Sequence, residues 1–337
     1  MTTSLKGPLR WVLALFLIFI ACDYLQAQTF IHPGISHKKS DLDRMKAMVA
    51  AGVEPWKSSF KSLSLSPYAS YSYAVRGNGS TTLATVSSMT GYNYDDIKYD
   101  GLAAYCNALM WYVTGDERHA KKAVEIFKAW SNLQRIKTGG TRSLDAGRVI
   151  WKLLEGAEII KHTYAGWNSA DLQRFNSMLV YPGYSSTVEP TAQINSEEVT
   201  FYWFMYNGDA GRHGNQGIFG MRGVAAMGIF LDNRIMYDRA IRYLKGLPHR
   251  SDDLPYPSGP PINGATPTSA SNAYQTVYSY NGRENTVEDY GYNELISNYV
   301  WENGQCQESA RDQNHALLGI GNIITAAEMA WNQGDDL

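Results

Sequence analysis

The sequence predicts an all-α fold assembled from consecutive helical hairpins. Apolar residues recur at three- and four-residue intervals through most of the chain, the signature of amphipathic helices. Asp, Asn, Ser and Gly sit where such helices need caps and stops. No two alternating apolar runs are joined by a clear hairpin turn. With 44% hydrophobic and 18% charged residues in 337, the chain has the composition of a globular domain. A bundle, a solenoid and an α/α toroid all satisfy this pattern, although no fixed repeat of about 34 or 40 residues supports the solenoid.

The first 27 residues read as an export signal. Lys6 and Arg10 precede an unbroken apolar run of 11 residues, Trp11 to Ala21, too short to span a bilayer and suited to a signal core. Cleavage after Ala27 follows Leu-Gln-Ala, and Phe19-Ile20-Ala21-Cys22 also resembles a lipoprotein box with a lipid anchor at Cys22. The expected organisation is a signal peptide over 1–27 and one domain over 28–337, periplasmic or secreted. No later apolar stretch is long enough for a membrane span.

In the first helix Ser40 and Asp43 imitate a capping box, Leu42, Met45, Val49 and Val53 keep helical spacing, and Gly52 with Pro55 ends the run. Asp95 or Asp96 opens a second helix reaching Thr114, and Asp116 opens a third in which Ala120, Val124, Phe127 and Trp130 continue the rhythm. Residues 96–131 therefore read as an antiparallel hairpin with its stop at Gly115. Further helices are expected over about 143–163, 169–180, 215–231, 234–246, 286–302 and 308–332. The aromatic stretches 68–75 and 199–206 read as loops. Residues 247–285, rich in Pro, Gly and Ser, form a loop long enough to suggest a functional wall.

Thirty basic against 32 acidic residues leave a net charge of −2, which lacks the cationic excess of a dedicated nucleic-acid binder. Nine Trp and 23 Tyr suit either a core or a sugar-binding surface. Cys106 and Cys306 have the choice of a bridge or two buried thiols. The common zinc, phosphate-loop and serine-elbow motifs are missing from the sequence, and nothing in it demands a metal or cofactor.

Three polar clusters offer chemistry. The densest, Gln305 to His315, precedes an apolar helix; a helix starting at Glu308 would carry Glu308, Arg311 and His315 on one face, with Gln313 beside them. Arginine grips a carboxylate in two places, histidine exchanges a proton near neutral pH, and glutamate orients either. The second, His213-Gly214-Asn215-Gln216, places two amides at a helix start, a setting that favours an anionic group. The plainer alternative is a turn with Asn215 as N-cap. The third runs from Arg283 to Asn293 and contains Tyr290 and Tyr292, each a phenol able to move a proton or to stack on a sugar.

These clusters resemble the alginate lyase superfamily of polysaccharide lyases. The resemblance begins at His32-Pro33-Gly34 and continues through Asp41-Leu42-Asp43-Arg44-Met45-Lys46. It is carried on by Asn215-Gln216 with Asp232-Asn233-Arg234, and by Glu308-Ser309-Ala310-Arg311-Asp312-Gln313-Asn314-His315 with Leu318-Gly319-Ile320-Gly321. It implies an incomplete α/α toroid that cleaves a uronic-acid polysaccharide by β-elimination, with Asn215, Gln216 and Arg311 neutralising the carboxylate. Glu308, Gln313, His213 and Arg283 are the expected substrate contacts. Gln216 stands where alginate-specific relatives carry His, and His315 where they present Tyr, so the base stays open among Tyr290, Tyr292 and His315. Relatives usually continue past Leu337 into further helices, and the expected domain is C-terminally incomplete.

Two other readings compete. A glycoside hydrolase on a similar toroid would use two carboxyls, for which Glu288, Asp289 and Glu308 are available, but it gives the amides and arginine no task. A non-catalytic glycan-binding relative would bind the same anionic polysaccharide without shortening it.

Overall fold

The computed structural model describes residues 29–79, 83–86, 94–133, 135–138, 142–180, 198–199, 205, 214–245, 247–254, 300, 304, 306, 309 and 312–337. The expected signal peptide, the helix over 286–302 and most of the long Pro-rich loop lie outside these residues, while 247–254 forms no helix or strand.

Helices dominate. They are α1 (Lys39–Ala50), α2 (Trp56–Ser64), α3 (Tyr94–Thr114), α4 (Glu117–Trp130), α5 (Arg142–Thr163), α6 (Ser169–Leu179), α7 (Gly214–Phe230), α8 (Arg234–Leu244) and α9 (Gln313–Asn332). Short polar side chains start them as the sequence suggests: Asp116 accepts the Arg118 amide at 3.0 Å, Asn168 that of Asp171 at 2.9 Å and Asn233 that of Met236 at 3.0 Å. Gly115, at φ +73°, supplies the left-handed residue that turns α3 into α4.

Two starts differ from expectation. The first helix is capped at Lys38, not Ser40, because Asp41 reaches back to accept the Lys38 amide at 3.1 Å. The last begins at Gln313, not Glu308: Asp312 is extended (φ −169°, ψ 163°) and its carboxylate accepts the His315 amide at 2.8 Å. A continuous helix from 308 through 315 is therefore interrupted at Asp312, and helical spacing cannot be what aligns Glu308 and Arg311 with His315. Helix α2, rich in Ser and Lys, had no distinct start signal in the sequence.

The helices form two layers. α3, α5, α7 and α9 pack side by side in that order as one row, with α4 laid against α3 and α8 against α7. Glycine permits the close approach within the row. A Cβ on Gly147 of α5 would meet the Phe219 carbonyl of α7 at 2.2 Å, and one on Gly156 would meet the Tyr105 amide of α3 at 2.8 Å. The contacts Gly101 to Leu153 and Gly156 to Tyr105 advance together along the chain, so α3 and α5 run parallel. Each inner helix thus returns through an outer one, the plan of an α/α toroid.

The core continues between the layers. Phe127 of α4 stacks on Trp167 with centroids 4.8 Å apart, and Phe175 of α6 meets both Trp167 and Phe230 of α7 edge-on at 5.5 Å. Burial of each such ring contributes roughly 1.5–3 kcal/mol. The chain's early segment closes on the last helix: Gln333 donates to the carbonyls of Ile31 and Gly34 at 3.1 and 2.9 Å, and Asn332 to that of Ile35 at 3.0 Å.

A small sheet corrects the expectation of no strands. β1 (Leu83–Val86) pairs in parallel with β2 (Arg135–Thr138), Leu83 opposite Arg135, and β2 pairs antiparallel with β3 (Glu198–Val199). The hairpin α3–α4 is the crossover between β1 and β2. Strands of two to four residues whose partners lie so far along the chain leave no local periodic signal. The aromatic stretch near 68–75 contains no strand, as expected, though residues 67–69 form a turn of 3₁₀ helix. Cys106 and Cys306 are separate buried thiols, and burial pushes Cys106 up to about 11.

Candidate active site

The parallel inner helices turn their N-terminal halves toward one cavity of about 420 Å³. α3 contributes Lys98, Tyr99 and Leu102; α5 contributes Arg148, Trp151 and Lys152; α7 contributes Phe219 and Arg222; α9 contributes Leu317, Leu318, Gly321, Asn322 and Thr325. Four of these side chains are cationic and none is acidic. The partial positive charge of helix N-termini has the same sign, so the cavity is built for an anion.

Three of its four cations rest on aromatic faces. The Arg222 guanidinium lies 3.8 Å from the Trp151 ring centroid and 4.9 Å from that of Phe219. Lys152 sits 4.2 Å from the Trp151 ring and pairs with buried Glu155 at 2.7 Å. Lys98 lies 4.9 Å from Tyr99, whose ring also stacks on Tyr68 at 5.6 Å and carries Arg76 at 4.4 Å. Rings and planar cations held in this way present flat surfaces suited to a pyranose.

Among the described residues, three buried polar atoms without partners belong to this wall. They are the Trp151 indole N–H, the Arg222 Nε–H and the Asn322 side-chain oxygen, and the Asn215 amide nitrogen is likewise without a partner. Buried polar groups in folded proteins nearly always find partners, and exceptions mark places where a ligand supplies one. Burial pushes Arg222 down to about 9, still above neutrality, so the guanidinium remains charged with no carboxylate bonded to it among the described residues.

Of the residues expected from sequence, Asn215 is buried inside the first turn of α7, one residue beyond the helix start, and is not its N-cap. Asn215, Phe219 and Arg222 are spaced i, i+4, i+7, so Asn215 heads the stripe that lines the cavity. Gln216 follows it in the helix. His315 heads the corresponding stripe of α9, with Leu318, Asn322 and Thr325 below it. The His315 ring is partly exposed, with Nδ1 at 2.6 Å from an Asp312 oxygen. Gln313 is exposed in the same turn. Glu308, Arg311, His213, Arg283, Tyr290 and Tyr292 lie outside the described residues, as do the hydrolase candidates Glu288 and Asp289.

Sequence reasoning missed Lys98, Tyr99, Arg148, Trp151, Lys152 and Arg222. The available signal was Arg222, the lone charge in the apolar helix Gly214–Phe230, together with the i, i+3, i+4 spacing of Arg148, Trp151 and Lys152.

Residues 90–249 match the family described as alginate lyase, a stretch that runs from just before α3 through α8 and contains three of the four inner helices. That stretch is an alginate lyase family domain. At family level the match supports a polysaccharide lyase, and the all-α hairpin architecture agrees with the toroid of that family. The matched stretch holds Asn215, Gln216 and Arg222 and ends before Arg311 and His315. No curated protein matches the chain.

A second polar group lies at the opposite, C-terminal end of α5. His32 places Nδ1 2.6 Å from Glu158 and Nε2 2.8 Å from Asp232, while Lys161 reaches Asp232 at 3.2 Å. His32, Glu158 and His162 are of metal-ligand type, with their ligand atoms within 4.8 Å of one another. The two imidazoles, however, lie face to face at 4.1 Å and 10°, so their in-plane lone pairs run parallel and do not converge on a shared ion. The arrangement is a hydrogen-bonded clamp between the early segment, α5 and the α7–α8 turn.

Proposed function

We propose that this protein is an exported lyase that cleaves a polyuronate, alginate or a related chain, by β-elimination. The observation that carries this reading is the cation-lined, aromatic-walled cavity with unpartnered donors and no acidic side chain in its described wall. A hydrolase needs two carboxyls across the scissile bond. Among the described residues this wall provides none.

Elimination breaks the C5–H bond, forms a C4–C5 double bond and expels the O4 substituent, which takes up a proton. The C5 proton becomes removable when donors neutralise the neighbouring carboxylate and charge spreads into it. Asn215, Gln216 and Arg311 are assigned that task. The base is assigned among His315, Tyr290 and Tyr292, and the geometry of His315 favours it: with its Nδ1 proton held by Asp312, Nε2 is left as the accepting nitrogen. Positioned proton transfer is worth roughly 10²–10⁴-fold, and the electrostatic contribution of the donors supplies much of the rest.

The test is a panel of polyuronates and neutral glycans incubated with the mature chain and followed by ultraviolet absorbance and product mass. Unsaturated uronate products support the reading. New reducing ends without absorbance would favour the hydrolase, and saturable binding without shortening the non-catalytic relative.

A further inference from the structure

We propose that Arg222, stacked on Trp151, is a second carboxylate-reading subsite of the cleft, separate from the donors at the reacting sugar. The proposal rests on the polyuronate reading above and specifies which part of the substrate that cavity recognises.

Geometry separates the two positions. Asn215 and Arg222 share one face of α7 but are seven residues apart, which is about 10 Å along the helix axis. A single carboxylate cannot span that distance. If Asn215 serves the sugar that loses its proton, the group meeting Arg222 belongs to a different sugar of the same chain, and the substrate carries carboxylates on neighbouring units.

The surroundings of Arg222 define what it takes. Arg222 is 5% exposed, its Nε–H has no partner among the described residues, and its Nη1 donates a long hydrogen bond to the Thr325 hydroxyl at 3.4 Å. The Trp151 indole N–H, also unpartnered, belongs to the same wall. A carboxylate accepts from both a guanidinium edge and an indole N–H, whereas a neutral hydroxyl leaves the buried charge uncompensated. The carboxylate whose charge reaches Arg222, Glu155, is engaged elsewhere: it pairs with Lys152 and accepts from Ser36. A buried cation without a counter-ion costs folding stability, and a ligand that brings the counter-ion recovers it.

The experiment compares the full chain with Arg222→Met and Arg222→Lys. Calorimetric titration uses a short homopolyuronate oligosaccharide and the same oligosaccharide with its carboxyls reduced to alcohols, alongside thermal midpoints without ligand. The expected result is a loss of affinity for the uronate of tenfold or more in Arg222→Met and partial recovery in Arg222→Lys. Affinity for the reduced sugar stays the same, and the midpoint of Arg222→Met is equal to or above wild type. In turnover, KM rises while kcat is largely kept. A lowered midpoint with equal loss for both sugars makes Arg222 a structural cation and overturns the proposal, as does unchanged uronate affinity in Arg222→Lys and Arg222→Met. Uronate binding that depends on Arg222 without any ultraviolet product leaves the subsite standing and removes the lyase reading. Elimination that is indifferent to Arg222 does the reverse.

Discussion

Asp100 accepts the indole N–H of Trp130 at 2.8 Å in the seam between α3 and α4. The same fully buried carboxylate accepts the Tyr73 hydroxyl at 3.0 Å and the backbone amides of Arg76 and Gly77 at 3.1 and 2.9 Å. It therefore fixes the segment whose Arg76 covers the outer face of Tyr99, the residue that enters the cleft one position earlier on α3. Asp100→Ala strands several buried donors at once and should cost about 3 kcal/mol or more in urea unfolding. A loss under about 1 kcal/mol would show that the donors find other partners.

Cleft aromatics and cations should separate by salt. Trp151→Ala removes the platform under Arg222 and Lys152 and should raise KM for a polyuronate about tenfold at every ionic strength. Arg148→Ala removes an exposed cation, so its effect should be large in dilute buffer and fade above about 0.5 M salt. Identical salt profiles for the two variants would contradict this division.

For the proton chemistry, Arg311→Ala should lower kcat far more than it weakens binding, because the cation matters most as charge enters the carboxylate. Lysine should not rescue it fully. Among His315→Ala, Tyr290→Phe and Tyr292→Phe, the variant that loses nearly all turnover with binding intact identifies the base. If Arg311→Ala changes only apparent affinity, Arg311 is a docking residue and the assigned mechanism fails.

The His32 clamp predicts a pH effect on stability. Burial opposes the imidazolium, but hydrogen bonds and charge from Glu158 and Asp232 outweigh it, so His32 is raised above its ordinary 6.5. Its contribution is fully present below 6.5 and is lost as pH climbs through the folded value. The facing groups are Glu158, Lys161 and His162 of α5 and Asp232 of the α7–α8 turn. His162 is lowered, chiefly by burial, and acts in the opposite sense below 6.5. Between about pH 6.5 and 8.5 the wild-type midpoint should therefore fall more steeply than that of His32→Gln. Parallel curves would show that His32 does not change charge there.

Arg239 of α8 and Asp253 form a fully buried pair at 3.0 Å that ties the 247–254 segment to the outer layer. Arg239→Ala leaves the carboxylate buried without its cation and should destabilise the fold by about 3–5 kcal/mol, measured by denaturant unfolding. Arg239→Met with Asp253→Leu should recover much of that loss.

Much of the helical plan was legible because capping and periodicity are local. Asp116, Asn168 and Asn233 each satisfy an amide two or three residues away, which a sequence displays directly. The same locality explains the error at Glu308: a carboxylate that begins a helix can be guessed from its neighbours, but the helix is capped by Asp312, and only backbone geometry distinguishes the two candidates. The sheet escaped because β1 and β2 gain their order from each other across the α3–α4 hairpin. Asn215 and His315 were readable as amide and imidazole beside helix starts. Lys98, Trp151, Arg222 and Asn322 were not readable as one site, since each sits alone on its own helix. Sequence by itself determined the helices, their caps and the types of donor available. Tertiary structure decided which donors meet, because parallel packing of α3, α5, α7 and α9 brings four N-terminal halves to one cavity, and only that packing strips Arg222 of water and leaves its charge waiting for a partner.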